Sequence, residues 1–259
     1  MKKHKKIIVG NWKMNPESPD EARTVFAKIK RSAEKKSNTS VIICPPALYI
    51  PLLAKNKSKK IAVGAQDTFY KFAGAHTGEI SPIMLRQSGV THVIIGHSER
   101  RANGETNEIV NKKILAAFHE GLNVIFCIGE EKRDLEGGYL EFIKQELVQG
   151  LAKVEKKNLP SLVVAYEPIW AIGQSDKNAM KGAQMYEMSI YIKKILSEIF
   201  DRSTTTNIPV LYGGSVSSAN AQDLIRGGHV DGLLVGRQSL NPTDFADILN
   251  IVDLIKADE

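Results

Sequence analysis

The stretch Leu162-Val163-Val164-Ala165-Tyr166-Glu167-Pro168-Ile169-Trp170-Ala171-Ile172-Gly173 begins as an unbroken apolar run and ends at a glutamate and a proline. A short apolar run closed by a breaker reads as a strand buried on both faces, and a helical pattern from about Ala179 to Phe200 follows it. Glu167 therefore stands where a buried strand runs out, among Pro168, Ile169 and Ile172. A carboxylate in such a place costs stability unless it is paired or put to use. It reads either as a base or as half of a structural ion pair, and the stretch alone leaves both open.

The same strand-loop-helix unit recurs on both sides of this stretch. Ile7 to Gly10 precedes a helical pattern from about Asp20 to Lys36, Val41 to Cys44 precedes Ala47 to Ala54, and Ile61 to Ala65 precedes Pro82 to Gln87. Val93 to Ile95 leads to Thr106 to His119, and Val124 to Ile128 leads to about Tyr139 to Val154. Beyond the central unit come Pro209 to Tyr212 with Ala219 to Ile225, and Gly232 to Val235 with Thr243 to Ile255. Helices between all the strands force parallel pairing, and eight such units in 259 residues predict an α/β fold, a closed (β/α)8 barrel of eight parallel strands ringed by helices. No linker-like change of composition divides the chain, so residues 1–259 read as a single domain. One connection breaks the rhythm: Gln66 to Ser81 is long, rich in Gly and aromatics and without helical period, which marks it as functional.

Composition narrows the class. With 42% hydrophobic and 25% charged residues the chain is ordinary for a globular protein, and no run is long enough to span a membrane. The basic start, Met1 to Lys6, has no signal-like apolar segment behind it. Cys44 and Cys127 both lie in apolar strands and read as small hydrophobes of a reducing compartment. Together these predict a cytoplasmic protein with no membrane or nucleic-acid partner. The net charge of +6 is explained by Lys-rich helix faces, and it also favours an anionic substrate.

A closed barrel gathers the residues just past its strands onto one rim. On that rim fall Asn11 and Lys13, His97-Ser98-Glu99-Arg100, Glu167, Gly213-Gly214-Ser215, and Gly236-Arg237. Singly, the Lys reads as well as a solvated cation, the His as a structural residue and Gly-Gly-Ser as a turn. Their convergence is the informative feature. His97 opens what could be a short helical turn, whose free N–H groups disfavour an imidazolium and leave a neutral donor. The glycine turns after the seventh and eighth strands are where barrels place a phosphate on backbone N–H groups.

At this point the chain resembles the triosephosphate isomerase family. The resemblance rests on Gly10-Asn11-Trp12-Lys13-Met14-Asn15, Gly96-His97-Ser98-Glu99-Arg100-Arg101, Ala165-Tyr166-Glu167-Pro168-Ile169-Trp170-Ala171-Ile172-Gly173 and Tyr212-Gly213-Gly214-Ser215-Val216, in order from about Ile7 to Val252. It implies interconversion of dihydroxyacetone phosphate and D-glyceraldehyde 3-phosphate through an enediolate, in glycolysis and gluconeogenesis, with no cofactor and no metal. By motif position Glu167 is the base, His97 the neutral electrophile, Lys13 the positive charge near the oxyanion with Asn11 beside it, and Glu99 the group aligning Lys13. Gly173, Ser215, Gly236 and Arg237 would hold the phosphate, and Pro168 to about Asn178 would form a lid. The Gln66 to Ser81 segment matches the part that docks into a second subunit near its Lys13 and Met14, which implies a homodimer.

The chain departs from the family pattern in three places. The lid continues as Gln174-Ser175-Asp176-Lys177-Asn178, where a second Gly and a Lys are usual; Arg237 replaces what is most often Gly; His76 stands where a large aromatic is usual. Other functions on the same barrel fit less well. A Schiff-base aldolase needs a lysine inside a strand, and Lys13 lies past one. A metal-dependent epimerase needs several His and acidic ligands at strand ends, where only His97 qualifies. A non-catalytic binding or adhesion protein would not need Glu167, His97 and Lys13 together.

Overall fold

In the computed structural model, which describes residues 5–134, 136–173 and 179–255, the strands form one closed parallel barrel in chain order. They are β1 (Lys6–Asn11), β2 (Thr39–Cys44), β3 (Ile61–Ala65), β4 (His92–Ile95), β5 (Asn123–Ile128), β6 (Leu162–Tyr166), β7 (Val210–Tyr212) and β8 (Gly232–Val235). Closure is made by β1 against β8, with Ile7 opposite Gly232 and Val9 opposite Leu234. Around the barrel run α1 (Pro19–Ala33), α2 (Ile50–Ala54), α3 (Pro82–Gln87), α4 (Ser98–Ala102), α5 (Asn107–His119), α6 (Gly138–Gly150), α7 (Gly182–Ile199), α8 (Arg202–Thr205), α9 (Ala221–Arg226) and α10 (Pro242–Leu254). Among the described residues no helix is long and apolar enough to cross a membrane.

Two apolar layers explain why the strands carry no polar alternation. Val9, Ile42, Ile94, Ile125, Val163, Leu211 and Leu234 fill the barrel interior. Their neighbours Ile8, Val41, Val124, Phe126 and Val164 point outward against Phe26, Ile114, Leu147, Ile192 and Leu249 of the helices. Alternate residues of a strand face opposite sides, and this parity continues past the strand ends. Asn11 shares the parity of Ile7 and Val9, Glu167 that of Val163 and Ala165, Gly213 that of Leu211, and Gly236 that of Leu234. All four therefore face the mouth of the barrel.

The helices start where the caps are. Ser18 Oγ accepts from Glu21 N at 3.2 Å and Pro19 takes the first position of α1, while Thr106 Oγ1 accepts from Ile109 N at 3.3 Å to open α5. Several ends differ from the sequence reading. α1 stops at Ala33 instead of Lys36 because the chain tightens there, Lys35 N bonding Ser32 O and Lys36 N bonding Ala33 O. α6 stops at Gly150 instead of Val154, and Lys153 already has a left-handed backbone at φ 62°. α7 begins at Gly182 instead of Ala179, where Gln184 Oε1 accepts from Lys181 N at 3.0 Å. α8 was not anticipated; it is nucleated by Asp201, whose Oδ1 accepts from Thr204 N at 2.9 Å.

Between β3 and α3 the chain forms no regular element. Phe69 N donates to Ile80 O at 2.8 Å and pins the neck of this loop. Its tip, including Phe72 and Thr77, is exposed.

Candidate active site

At the C-terminal end of the strands lies a cavity of about 290 Å³. It is lined by Asn11, Lys13, His97, Glu167, Gly173, Ser215, Gly236 and Arg237, so every residue predicted for the site except Glu99 borders one space. Glu99 stands just outside, with Oε1 2.5 Å from Lys13 Nζ.

Glu167 is only 2% exposed, so its carboxylate is screened from bulk water. Its main chain is fixed by an N–H bond to Ile128 O at 2.7 Å. Oε2 accepts from Ser98 N at 3.1 Å, and Oε1 lies 3.4 Å from His97 Nε2. Burial first, and the charge of Glu167 second, push the Cys127 thiol well above its ordinary pKa and keep it protonated. Gly213 packs so closely that a Cβ would sit 2.8 Å from Glu167 Cγ, which leaves glycine as the residue that fits. Among the described residues the ion-pair alternative for Glu167 is thus not realised with Lys or Arg: the carboxylate meets the Ser98 N–H and the His97 imidazole.

His97 caps α4. Its Nδ1 accepts from Glu99 N at 3.2 Å, and this assigns the ring proton to Nε2, which faces the cavity and Glu167. The imidazole is accordingly a neutral donor aimed into the cavity. It departs from the parity of β4, whose inward residue is Ile94, because Gly96 turns the chain at φ 76°.

Lys13 is held in a left-handed backbone at φ 53°, a conformation that costs a side-chain-bearing residue about 1 to 3 kcal/mol. Three bonds hold it there. Lys13 N donates to Asn11 Oδ1 at 3.0 Å, Gln66 Nε2 donates to Lys13 O at 2.8 Å, and Trp12 N donates to Cys44 O at 3.1 Å. Strained backbone concentrates at sites where geometry is used. The ammonium is then turned toward Glu99.

On the opposite wall Gly173 has φ 74°, and Ser215 Oγ donates to Ala171 O at 2.8 Å, tying the β7 turn to the segment after Glu167. Gly236 (φ −85°, ψ −110°) turns the chain into a 3₁₀ turn, Arg237–Ser239, and the Arg237 side chain is exposed. The predicted lid divides here. Gln174 to Asn178 lie outside the described residues, while its stem is anchored: Glu130 Oε1 accepts from Tyr166 OH at 2.7 Å and from Trp170 Nε1 at 2.9 Å. Gln66, Ser98 N, Cys127 and Glu130 were all missed in the sequence. Their contacts to the site join residues far apart in the chain, and no local motif announces them.

The triosephosphate isomerase family model matches residues 6–252. The chain belongs to that family. A triosephosphate isomerase of Dictyoglomus thermophilum is 41% identical over 250 residues, covering 95% of this chain and 98% of the relative. Proteins of the same name from Carboxydothermus hydrogenoformans and the fungus Coprinopsis cinerea are 41% identical over 249 residues and 38% identical over 246. They cover 95% and 94% of this chain, and 98% and 96% of the relatives. The family's barrel is the one described above, and the cavity at its mouth is where this member's Glu167, His97 and Lys13 meet.

Proposed function

We propose that this cavity interconverts dihydroxyacetone phosphate and D-glyceraldehyde 3-phosphate, with Glu167 as the base that shuttles the carbon-bound proton. The chain is an aldose–ketose isomerase. Glu167 removes a proton from the carbon next to the carbonyl and the electron pair moves onto the carbonyl oxygen as an enediolate; the proton of the adjacent hydroxyl passes to that oxygen, and the same carboxyl returns its proton to the former carbonyl carbon as the other carbon becomes the new carbonyl. His97 Nε2–H donates to the oxygen that gains charge, and Lys13 supplies a positive field to it, with Asn11 alongside and Glu99 aligning the ammonium. The phosphate rests on the backbone of Gly173, Ser215, Gly236 and Arg237. The observation that carries the reading is the carboxylate of Glu167, buried, without a lysine or arginine partner among the described residues, and facing a neutral imidazole across an open cavity.

The active form is a homodimer built through the Gln66 to Ser81 loop. Supporting this are the exposed loop tip at Phe72 and Thr77, and apolar residues left in solvent on a single chain: Met14 at 93%, Leu48 at 86% and Met84 at 57%. Residues 1–259 act as one domain, and the enzyme works in the cytoplasm, in glycolysis and gluconeogenesis. A coupled assay with D-glyceraldehyde 3-phosphate tests the activity. The reading requires turnover without added metal or cofactor, and an inactive, folded chain refutes it.

A further inference from the structure

Glu146 lies in α6, outside the cavity, and is 1% exposed. A carboxylate that deep costs stability unless its oxygens are engaged. Its Oε2 accepts from Gly129 N at 2.8 Å. Its Oε1 lies 3.2 Å from Arg101 Nε, yet that N–H is donated to Gly96 O at 2.8 Å, so Oε1 has the charge of Arg101 beside it and no hydrogen bond of its own.

Both contacts end on the catalytic turns. Arg101 clamps the carbonyl of Gly96, the residue before His97, and its other nitrogens donate to Asn107 Oδ1 at 2.6 Å and Cys127 O at 3.4 Å. Gly129 packs against the main chain of Glu167 so tightly that a Cβ there would fall 1.8 Å from Glu167 O. A shift of Gly129 therefore moves the base, and a shift of Arg101 moves the electrophile.

We propose that Glu146 is a positioning residue: with Arg101 it locks the turn that carries His97 to the turn that seats Glu167, and so sets the spacing between electrophile and base. This rests on the roles given to those two residues above. The charged groups facing Glu146 are Arg101 from α4, Glu167 beyond β6 and Glu130 beyond β5. Burial, the largest influence, pushes its carboxyl up to about 7, with Arg101 pulling the other way. The lock consequently passes from charged to neutral within the range where the enzyme is assayed, and it is tight in the charged form.

The test is Glu146→Gln, which preserves shape and an acceptor for Gly129 N but removes the charge. At pH 8 kcat falls about tenfold or more while KM stays within about twofold, because misplacement of reacting groups costs rate more than substrate binding. The parent-to-variant ratio of kcat shrinks toward pH 6, where the parent's own carboxyl is protonated. Arg101→Lys gives the same split, and the double variant loses little more than either single one. Asn111→Ala is the structural control: Asn111 Nδ2 donates to Gly150 O and Ala152 O at the end of α6, away from the lock, so its removal loosens the helix and leaves kcat in place. Parental kcat in Glu146→Gln, an equal loss at both pH values, or an equal loss in Asn111→Ala overturns the proposal. If Glu146→Gln does not fold, Arg101→Lys carries the same kcat-against-KM and pH comparison. A fully active Glu167→Gln would instead remove the base assignment itself, which keeps the two failures apart.

Discussion

Arg237 puts a long cation on the wall proposed for the phosphate. Its side chain is exposed while its backbone opens the 3₁₀ turn after Gly236. If the N–H is what the phosphate uses, the guanidinium is dispensable. Arg237→Gly should then change KM less than about threefold, whereas loss of a charge-assisted contact costs roughly 1.5 to 3 kcal/mol, about tenfold or more. Steady-state kinetics together with inorganic phosphate inhibition decide this; a tenfold rise in both constants shows a direct clamp. Asn11, Lys13, His97, Glu167, Gly236 and Arg237 were legible as rim residues because each lies at a strand end or within two residues of one, so that recognising the strand places the residue. Gln66, Cys127, Glu130 and Glu146 were not. Gln66 reaches Lys13 from the end of β3, two strands round the barrel, and Glu146 reaches Gly129 from a helix whose sequence shows only an amphipathic pattern. Folding alone creates those contacts.

The elements were legible in kind more than in extent. Eight apolar strands and the intervening helical periods were readable because both faces of each strand are buried, which removes polar interruptions. The ends were set instead by capping groups and tight turns, such as Gln184 before α7 and Asp201 before α8, which periodicity does not report. One element end carries a titrating group. His92 opens β4, its Nδ1 is 2.8 Å from Thr91 Oγ1, and burial lowers its pKa from 6.5 to about 4. A histidine kept neutral in the folded state takes up its proton more readily when unfolded. Its contribution to stability is therefore present above 6.5 and is lost as pH falls through about 4, amounting to about 3 kcal/mol at most. Glu146, with a raised pKa, acts with the opposite sign: folding favours its protonated form, and stability declines as pH rises toward 7. The two windows overlap, so the His92 effect is read as a difference. Chemical denaturation of His92→Gln and the parent should show the gap between them changing between pH 6.5 and 4, and a gap independent of pH contradicts the assignment.

At the scale of the whole molecule, the barrel brings strand ends from distant parts of the sequence onto one rim, and the loop from Gln66 to Ser81 starts at that rim and carries an exposed tip. Thr77 is exposed on a single chain, so a charge there does no harm to the fold of one subunit. Thr77→Arg should yield folded monomers of low activity by sedimentation, because the dimer would have to bury an unpaired cation. A dimeric Thr77→Arg, or a parent that sediments as an active monomer, contradicts the proposed interface. The proposed isomerisation turns on one carboxylate. The most direct measurement is kcat for Glu167→Gln in both directions of the isomerisation, alongside the affinity of the same variant for inorganic phosphate. Loss of a general base predicts a fall of roughly a thousandfold or more in kcat with phosphate affinity nearly unchanged; a folded variant that turns over within about tenfold of the parent would contradict it.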